Sequence, residues 1–126
     1  MSNWEETALA YVTYGRTQSE ELFWAFEAAT MMAFLQRWDD LWELTLCAIA
    51  LTPESDNEAL AFIAAGSLED LIRYAAPELE SRIMEQIRID AKFRKTLTGA
   101  WAPQERADFW RNVTPLLYEF PTEPLT

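Results

Sequence analysis

The residues of this sequence that come closest to catalytic equipment are three pairs of adjacent carboxylates. Two neighbouring carboxylates can share general acid and base work, or can hold a Mg²⁺ ion. Each pair falls in a predicted first helical turn, where acidic side chains stabilise the helix dipole, and this structural role is the favoured interpretation. The pairs are Glu20 with Glu21, Asp39 with Asp40, and Glu69 with Asp70.

The chain contains no histidine and one cysteine, Cys47. Without histidine it lacks the most common general base, the usual metal ligand and every Ser–His or Cys–His pair. Cys47 lies in the apolar run 44–50, where a cysteine is usually an inert core residue. No phosphate-binding glycine loop and no zinc-binding cluster is present. We therefore expect no catalytic residue, no metal and no cofactor, so the sequence predicts that the protein is not an enzyme.

Three tryptophans, Trp24, Trp38 and Trp42, stand among acidic residues in segment 20–43. Tryptophan often anchors protein interfaces, and acidic side chains steer a basic partner. The alternative is that they build the core, which the pattern favours for Trp38 or Trp42, with at least one of the three partly exposed. The predicted partner-binding residues are Glu20, Trp24, Glu27, Asp39, Asp40, Trp42, Glu43, Glu69 and Asp70.

The formal net charge is −11, and residues 1–72 carry 13 of the 21 acidic residues but only two of the ten basic ones. Such a field repels nucleic acid and anionic membranes and attracts a basic protein, although solubility alone is the simpler interpretation. No apolar run approaches the roughly 20 residues of a membrane span. The acidic start does not resemble a signal peptide, and a lone cysteine fits a reducing compartment. We expect a cytoplasmic protein with neither nucleic acid nor membrane as its partner.

One basic cluster interrupts this acidity: Arg88, Lys92 and Lys95, with Arg94 beside them. If the helices around them joined, the first three would share one face and could contact RNA or an acidic groove. The favoured alternative is that they complement helix C-termini, or the acidic half of the same molecule.

Helical periodicity runs through the whole sequence, which has only three glycines and no strand-like alternation. It predicts an all-α single domain over residues 1–120, of about eight short helices packed as antiparallel hairpins, and a frayed tail over 121–126. The predicted helix limits include a Ser2 capping box, stops at Gly15 and Gly66, an Asp90 cap and starts at Pro77 and Pro103.

The stretch 58–72, which contains Ala65-Gly66-Ser67-Leu68-Glu69-Asp70-Leu71, resembles a widespread family of uncharacterised bacterial proteins. That family has an Ala-Gly-Pro-Leu-Glu-Asp-Leu-like signature between two helices. The similarity continues in 21–27 and 88–101 and covers about residues 10 to 115. Ser67 replaces the expected proline, and both residues suit a helix start. The resemblance implies a bacterial origin and no particular activity.

The signature also has a mechanical interpretation. Gly66 would end one helix with a positive φ, and Ser67 would cap the next one. Glu69 and Asp70 would then face the dipole of that second helix, and either of them, if exposed, could contact a partner.

Small size, acidity and the lack of catalytic groups favour an immunity or antitoxin-like protein that neutralises a cognate bacterial toxin with a basic surface. Two alternatives remain open at this level. A nucleic-acid mimic, as phage inhibitors are, would carry regularly spaced exposed carboxylates. A housekeeping adaptor would carry an apolar groove.

Overall fold

The protein is all-helical over the part of the chain that its structure, a computed structural model, describes: residues 4–100 and 106–125. The predicted capping box at Ser2 and the predicted helix start at Pro103 lie outside these ranges. No helix in the described ranges is both long and apolar enough to cross a membrane. The elements are α1 Glu5–Thr17, a 3₁₀ turn Glu20–Leu22, α2 Phe23–Phe34, α3 Trp38–Leu51, α4 Asn57–Ile63, a π-helical segment Ala64–Leu68, α5 Glu69–Ile89, α6 Ala91–Leu97 and α7 Ala107–Glu119.

The prediction of about eight helices is wrong, because α4, the π-helical segment and α5 follow one another without a break. The described residues therefore form six separate helical stretches. Gly66 does not adopt a positive φ, and Ser67 makes no side-chain cap. The extra residue of a π turn is absorbed within the helix at this point, so the chain needs no stop.

Pro77, predicted to start a helix, instead lies inside α5. A proline has no N–H to give to the carbonyl four residues earlier, which here belongs to Arg73. The guanidinium of Arg106 replaces that donor: its Nε donates to the Arg73 carbonyl at 2.6 Å and to the Ile72 carbonyl at 3.2 Å. A distant cation thus lets the helix run through its proline.

Gly15 does not end α1, which continues to Thr17 and is closed by Gln18 at φ 56°. The glycine serves packing instead. A Cβ at residue 15 would collide with the ring of Phe62. Its absence lets α1 and α4 approach closely and brings Phe62 under the aromatic residues of α1.

The core is organised around α3, which packs on α1, α2 and α6, while α5 packs on α7. The helical spacing of Leu41, Leu44, Ala48 and Leu51 predicts one buried stripe on α3, and the first three are fully buried, whereas Leu51 is 43% exposed. Trp42, Thr45 and Ile49 are buried beside them, so α3 buries one wide side, while Asp39, Glu43 and Ala50 are exposed.

Three members of the basic cluster, Lys92, Arg94 and Lys95, donate to backbone carbonyls, whereas Arg88 contacts the carboxylate of Glu85. Lys92 Nζ donates to the carbonyls of Ala50 and Thr52 at 3.1 and 2.7 Å, at the end of α3. Lys95 Nζ donates to the Glu54 carbonyl at 2.9 Å. Asp90 caps α6 through the Phe93 N–H at 3.0 Å, which confirms that prediction.

Residues 121–125, the described part of the predicted frayed tail, are non-helical and make specific contacts. The buried Arg94 donates to the Pro121 carbonyl at 3.3 Å, and its guanidinium lies 5.3 Å from the centre of the Phe120 ring. The Leu125 N–H donates to the Thr98 hydroxyl at 3.0 Å.

Candidate protein-binding groove

Helix α2 is apolar at almost every position, but only one side of it is buried. Its buried residues are Ala25, Ala29 and Met32. A helix that is apolar all round is normally enclosed by protein, so its exposed side requires an explanation. Large exposed apolar side chains lie along and just beyond it, with Phe34 77% exposed: Phe23, Trp24, Met31, Phe34 and Leu35. We call these five residues the α2 face.

Beside this face runs a groove, formed by three successive hollows along one flank of α2. The central hollow has a volume of about 330 Å³ and shares Thr30 with the third hollow. The α2 side of the groove follows the three- and four-residue spacing of one helix flank. It consists of Phe23, Phe26, Ala29, Thr30, Ala33 and Phe34.

The opposite wall comes from α1, the end of α4, the π-helical segment and α5. From α5 it takes Asp70, Tyr74 and Glu78, four residues apart on one helix face. We call the whole feature the α2 groove. The side chains of this wall that recur below are Tyr11, Tyr14, Phe62, Asp70, Tyr74 and Glu78.

Aromatic rings line much of the groove. Phe26 lies 5.4 Å from Tyr14 and 6.3 Å from Phe62, measured between ring centres. At the far end, Trp38 and Tyr74 stack with centres 6.4 Å apart and planes 15° apart. Mutual ring contacts of this kind fix the walls, since they add to the stabilisation from burial.

The floor of the central hollow is a buried hydroxyl network around the π-helical segment. The Ser67 N–H donates to the Tyr11 hydroxyl at 3.1 Å, and the hydroxyls of Ser67 and Thr45 are hydrogen-bonded at 2.9 Å. A Cβ on residue 66 would stand 2.6 Å from the Tyr11 oxygen, so Gly66 admits that hydroxyl. π-Helical turns are frequent at functional sites, and residues of this one line the central hollow.

Asp70 is half-buried in the same hollow. Burial raises the pKa of its carboxyl, the neighbouring Glu69 raises it further, and Arg73 partly opposes both. Arg73 contacts Glu69 at 3.3 Å, and Asp70 has no ion pair with any residue in the described ranges. Burial also raises the pKa of the Tyr11 hydroxyl. The hollow thus holds one carboxyl that water solvates poorly.

A family model described as a family of unknown function, DUF6869, matches residues 13–118. The chain belongs to this family. The match includes every residue of the α2 groove named above except Tyr11. No curated protein and no solved structure matches the chain. Membership in DUF6869 does not indicate an activity, so the groove is the basis for a functional proposal.

Some predicted partner-binding residues of this DUF6869 member, Glu20, Trp24 and Glu27, lie on α2 and on the 3₁₀ turn that precedes it. Trp24 is 44% exposed, which confirms that one of the three tryptophans is open to solvent. Glu20 lines the first hollow, and Glu27 is exposed one residue beyond Phe26. Glu20, Glu21 and Glu27 form no ion pair with another described residue.

The predicted acidic residues of α3 are engaged within the molecule. Asp39 accepts from Arg82 at 2.7 Å and Asp40 from Arg37 at 2.8 Å. The carboxylate of Glu43 accepts from the Trp4 indole at 2.9 Å. These side chains are therefore less available as steering charges than Glu20, Glu21 and Glu27.

Trp42 was predicted both as a core candidate and as a contact residue, and the structure places it in the core. Its side chain is only 7% exposed and meets the Phe93 ring edge-on at 5.8 Å, so it belongs to the core. Glu69 is paired with Arg73, whereas Asp70 lines the groove. In sequence, core and surface tryptophans in an acidic segment look alike.

Several groove residues were not identified from the sequence: Tyr11, Phe62, Tyr74 and Glu78. A usable signal exists for two of them, because Tyr74 and Glu78 follow Asp70 at spacings of four residues. That signal becomes visible only when α5 is allowed to continue through Pro77. In the described residues, no group of three or more Cys, Asp or Glu side chains converges as a metal site would require.

Proposed function

We propose that this protein is an acidic protein-binding module and that its partner docks on the α2 face and the adjoining groove. The observation that supports this most is the exposure of large apolar side chains on a helix otherwise built for burial. Exposed aromatic and aliphatic side chains beside a groove match the helix-in-groove and anchor-residue modes of recognition.

Charge favours a basic protein as the occupant. Glu20, Glu21 and Glu27 stand beside the α2 face without internal partners in the described structure, and the molecule carries −11 overall. A second copy of the chain would bring the same carboxylates against them, and like charges across an interface are unfavourable. A partner with an apolar patch ringed by Lys and Arg satisfies both features.

In its specific form, the proposal is an immunity or antitoxin-like protein of the cytoplasm that neutralises a basic toxin domain by stoichiometric binding, without chemical turnover. An acidic, aromatic surface complements the basic clefts of toxins that act on nucleic acid. Nucleic-acid mimicry requires exposed carboxylates rather than exposed aromatic residues, so the α2 face supports protein docking more than mimicry. A housekeeping adaptor would use the same surface, and toxicity of the partner separates the two.

The experiment is affinity capture of the partner at low ionic strength, followed by expression of the captured protein alone and together with this chain. We expect one stoichiometric basic protein that stops growth alone and is harmless in co-expression. A non-toxic partner would support the adaptor instead. Capture of a nucleic-acid-processing machine whose binding survives disruption of the α2 face would contradict the proposal in favour of mimicry.

A further inference from the structure

The central hollow of the α2 groove has the chemistry of a cation-binding pocket. One half-buried carboxyl, Asp70, stands at its wall, and the rings of Phe26 and Phe62 line it. The faces of aromatic rings attract cations, and a carboxylate supplies the counter-charge. An anion would meet the carboxylate and is disfavoured.

We propose that this hollow receives a lysine side chain of the bound protein, with its ammonium group at Asp70 and its alkyl stem along Phe26 and Phe62. The proposal deepens the protein-binding function and rests on it. A lysine stem buries along apolar surface while its charged end seeks a polar site.

Lysine suits the hollow better than arginine because of the acceptors present. An ammonium has three donors on one compact centre, whereas a guanidinium presents a planar fork that pairs best with a carboxylate along two bonds. The other polar side chains that line the hollow carry hydroxyls: Tyr11, Thr30 and Ser67. The Thr30 hydroxyl donates to the Phe26 carbonyl at 3.0 Å, so its lone pairs remain for an ammonium.

Within the described residues, Asp70 forms no ion pair and no side-chain hydrogen bond that would compete, although the charge of Arg73 acts on it. The nearest cation on its own helix, Arg73, contacts Glu69. The raised pKa of Asp70 reflects a charged form that burial disfavours, and an incoming ammonium favours that charged form again. A cation in the hollow would therefore stabilise the charged form of Asp70, which burial alone disfavours.

The test is a titration of the full ¹⁵N-labelled chain with Nα-acetyl-lysine-N-methylamide, followed by amide chemical shifts. The matched ligand is the norleucine derivative, which has the same stem and no ammonium. We expect the lysine derivative to shift the amides of residues 67–70 and the norleucine derivative to bind at least about tenfold more weakly, as loss of a charge-assisted contact implies. Equal binding of the two ligands would overturn the proposal.

Two variants locate the contact. Asp70→Asn should weaken binding of the lysine derivative about tenfold, with circular dichroism showing an unchanged fold. Glu119→Gln is the matched control, because it removes an exposed carboxylate at the end of α7, away from the α2 groove, and it should bind as the wild type does. Unchanged affinity of Asp70→Asn would overturn the assignment.

Free lysine tests the source of the ligand. A pocket for a free amino acid would bind free lysine more tightly than the blocked derivative, which would contradict a lysine side chain of a protein. Failure of the derivative to bind, while capture of the partner still depends on the α2 face, would remove this pocket and leave the proposed function standing. If the derivative still binds but no partner is captured, the pocket would stand and the proposed protein-binding function would fall.

Discussion

At the scale of single residues, the charged carboxyl of Asp70 is proposed to bind a partner lysine, but its burial lowers the stability of the fold. Burial raises the pKa of its carboxyl above the ordinary 3.8, so the folded chain holds this proton to a higher pH than the unfolded chain does. The stability contribution of Asp70 therefore falls as pH rises from 3.8 through the raised pKa. Above the raised pKa the cost of the buried charge is fully present.

From this sign we predict that Asp70→Asn increases the free energy of unfolding at pH 7. The difference from the wild type should shrink as pH falls below the ordinary carboxyl pKa, where the aspartate is protonated as well. Urea unfolding of the wild type and the variant between pH 3 and 7 measures this difference in unfolding free energy. The neighbouring titratable or charged groups, Tyr11, Glu69 and Arg73, are the same in both chains. A variant less stable than the wild type at pH 7 would show that the charge of Asp70 is satisfied internally.

Tyr11 is the second decisive residue, because its hydroxyl is the acceptor for the Ser67 N–H inside the π-helical segment. We predict that Tyr11→Phe lowers the free energy of unfolding by about 1–3 kcal/mol, the usual cost of a buried donor left without its acceptor. The control is Tyr118→Phe, since Tyr118 is 86% exposed and the loss of its hydroxyl should change stability little. Equal effects of the two variants would contradict the network.

At the scale of elements, α2 can lose its most exposed aromatic ring without unfolding. Because Phe34 is 77% exposed, Phe34→Ser should change stability by less than about 1 kcal/mol. Thermal unfolding measures this, with the core substitution Leu44→Ala as the contrast, expected to cost about 2–5 kcal/mol. Strong destabilisation by Phe34→Ser would mean that the α2 face supports the fold itself.

Helix α5 depends on a side chain from outside it. Arg106→Gln removes the guanidinium that donates to the carbonyls of Ile72 and Arg73 above Pro77. We predict a loss of about 1–3 kcal/mol in unfolding free energy, since hydrogen bonds to charged groups contribute that much. Arg111→Gln, which breaks an exposed ion pair with Asp108, should cost less than about 1 kcal/mol.

The helices also show which features of the fold could be predicted from the sequence. The stripe of α3 and the Asp90 cap were readable because their signals are local: periodicity, and an acceptor three residues before its donor. Gly66 and Pro77 were misread as helix limits because Tyr11 and Arg106, far away in sequence, supply the compensating contacts. Of the candidate site, the exposed Trp24 and the acidic residues of α2 could be predicted, whereas the groove depends on α5 continuing past Pro77.

At the scale of the whole molecule, the net charge of −11 should govern how fast a partner is found. We predict an association rate that falls steeply as ionic strength rises, while the dissociation rate changes less. Surface plasmon resonance with the captured partner at a series of salt concentrations measures both rates. A combined Glu20→Gln and Glu27→Gln variant should flatten the salt dependence, whereas Glu119→Gln, at the end of α7, should not.

The most direct test of the α2 face as a docking surface is the affinity of the captured partner for two variants of matched chemistry. Phe34→Ser removes an exposed ring from the face, and Tyr118→Ser removes an exposed ring from α7. We predict that Phe34→Ser weakens binding at least about tenfold, as loss of an anchor residue does, while Tyr118→Ser binds as the wild type does. Equal affinity of the two variants would show that the partner docks elsewhere and would contradict the protein-binding role of α2.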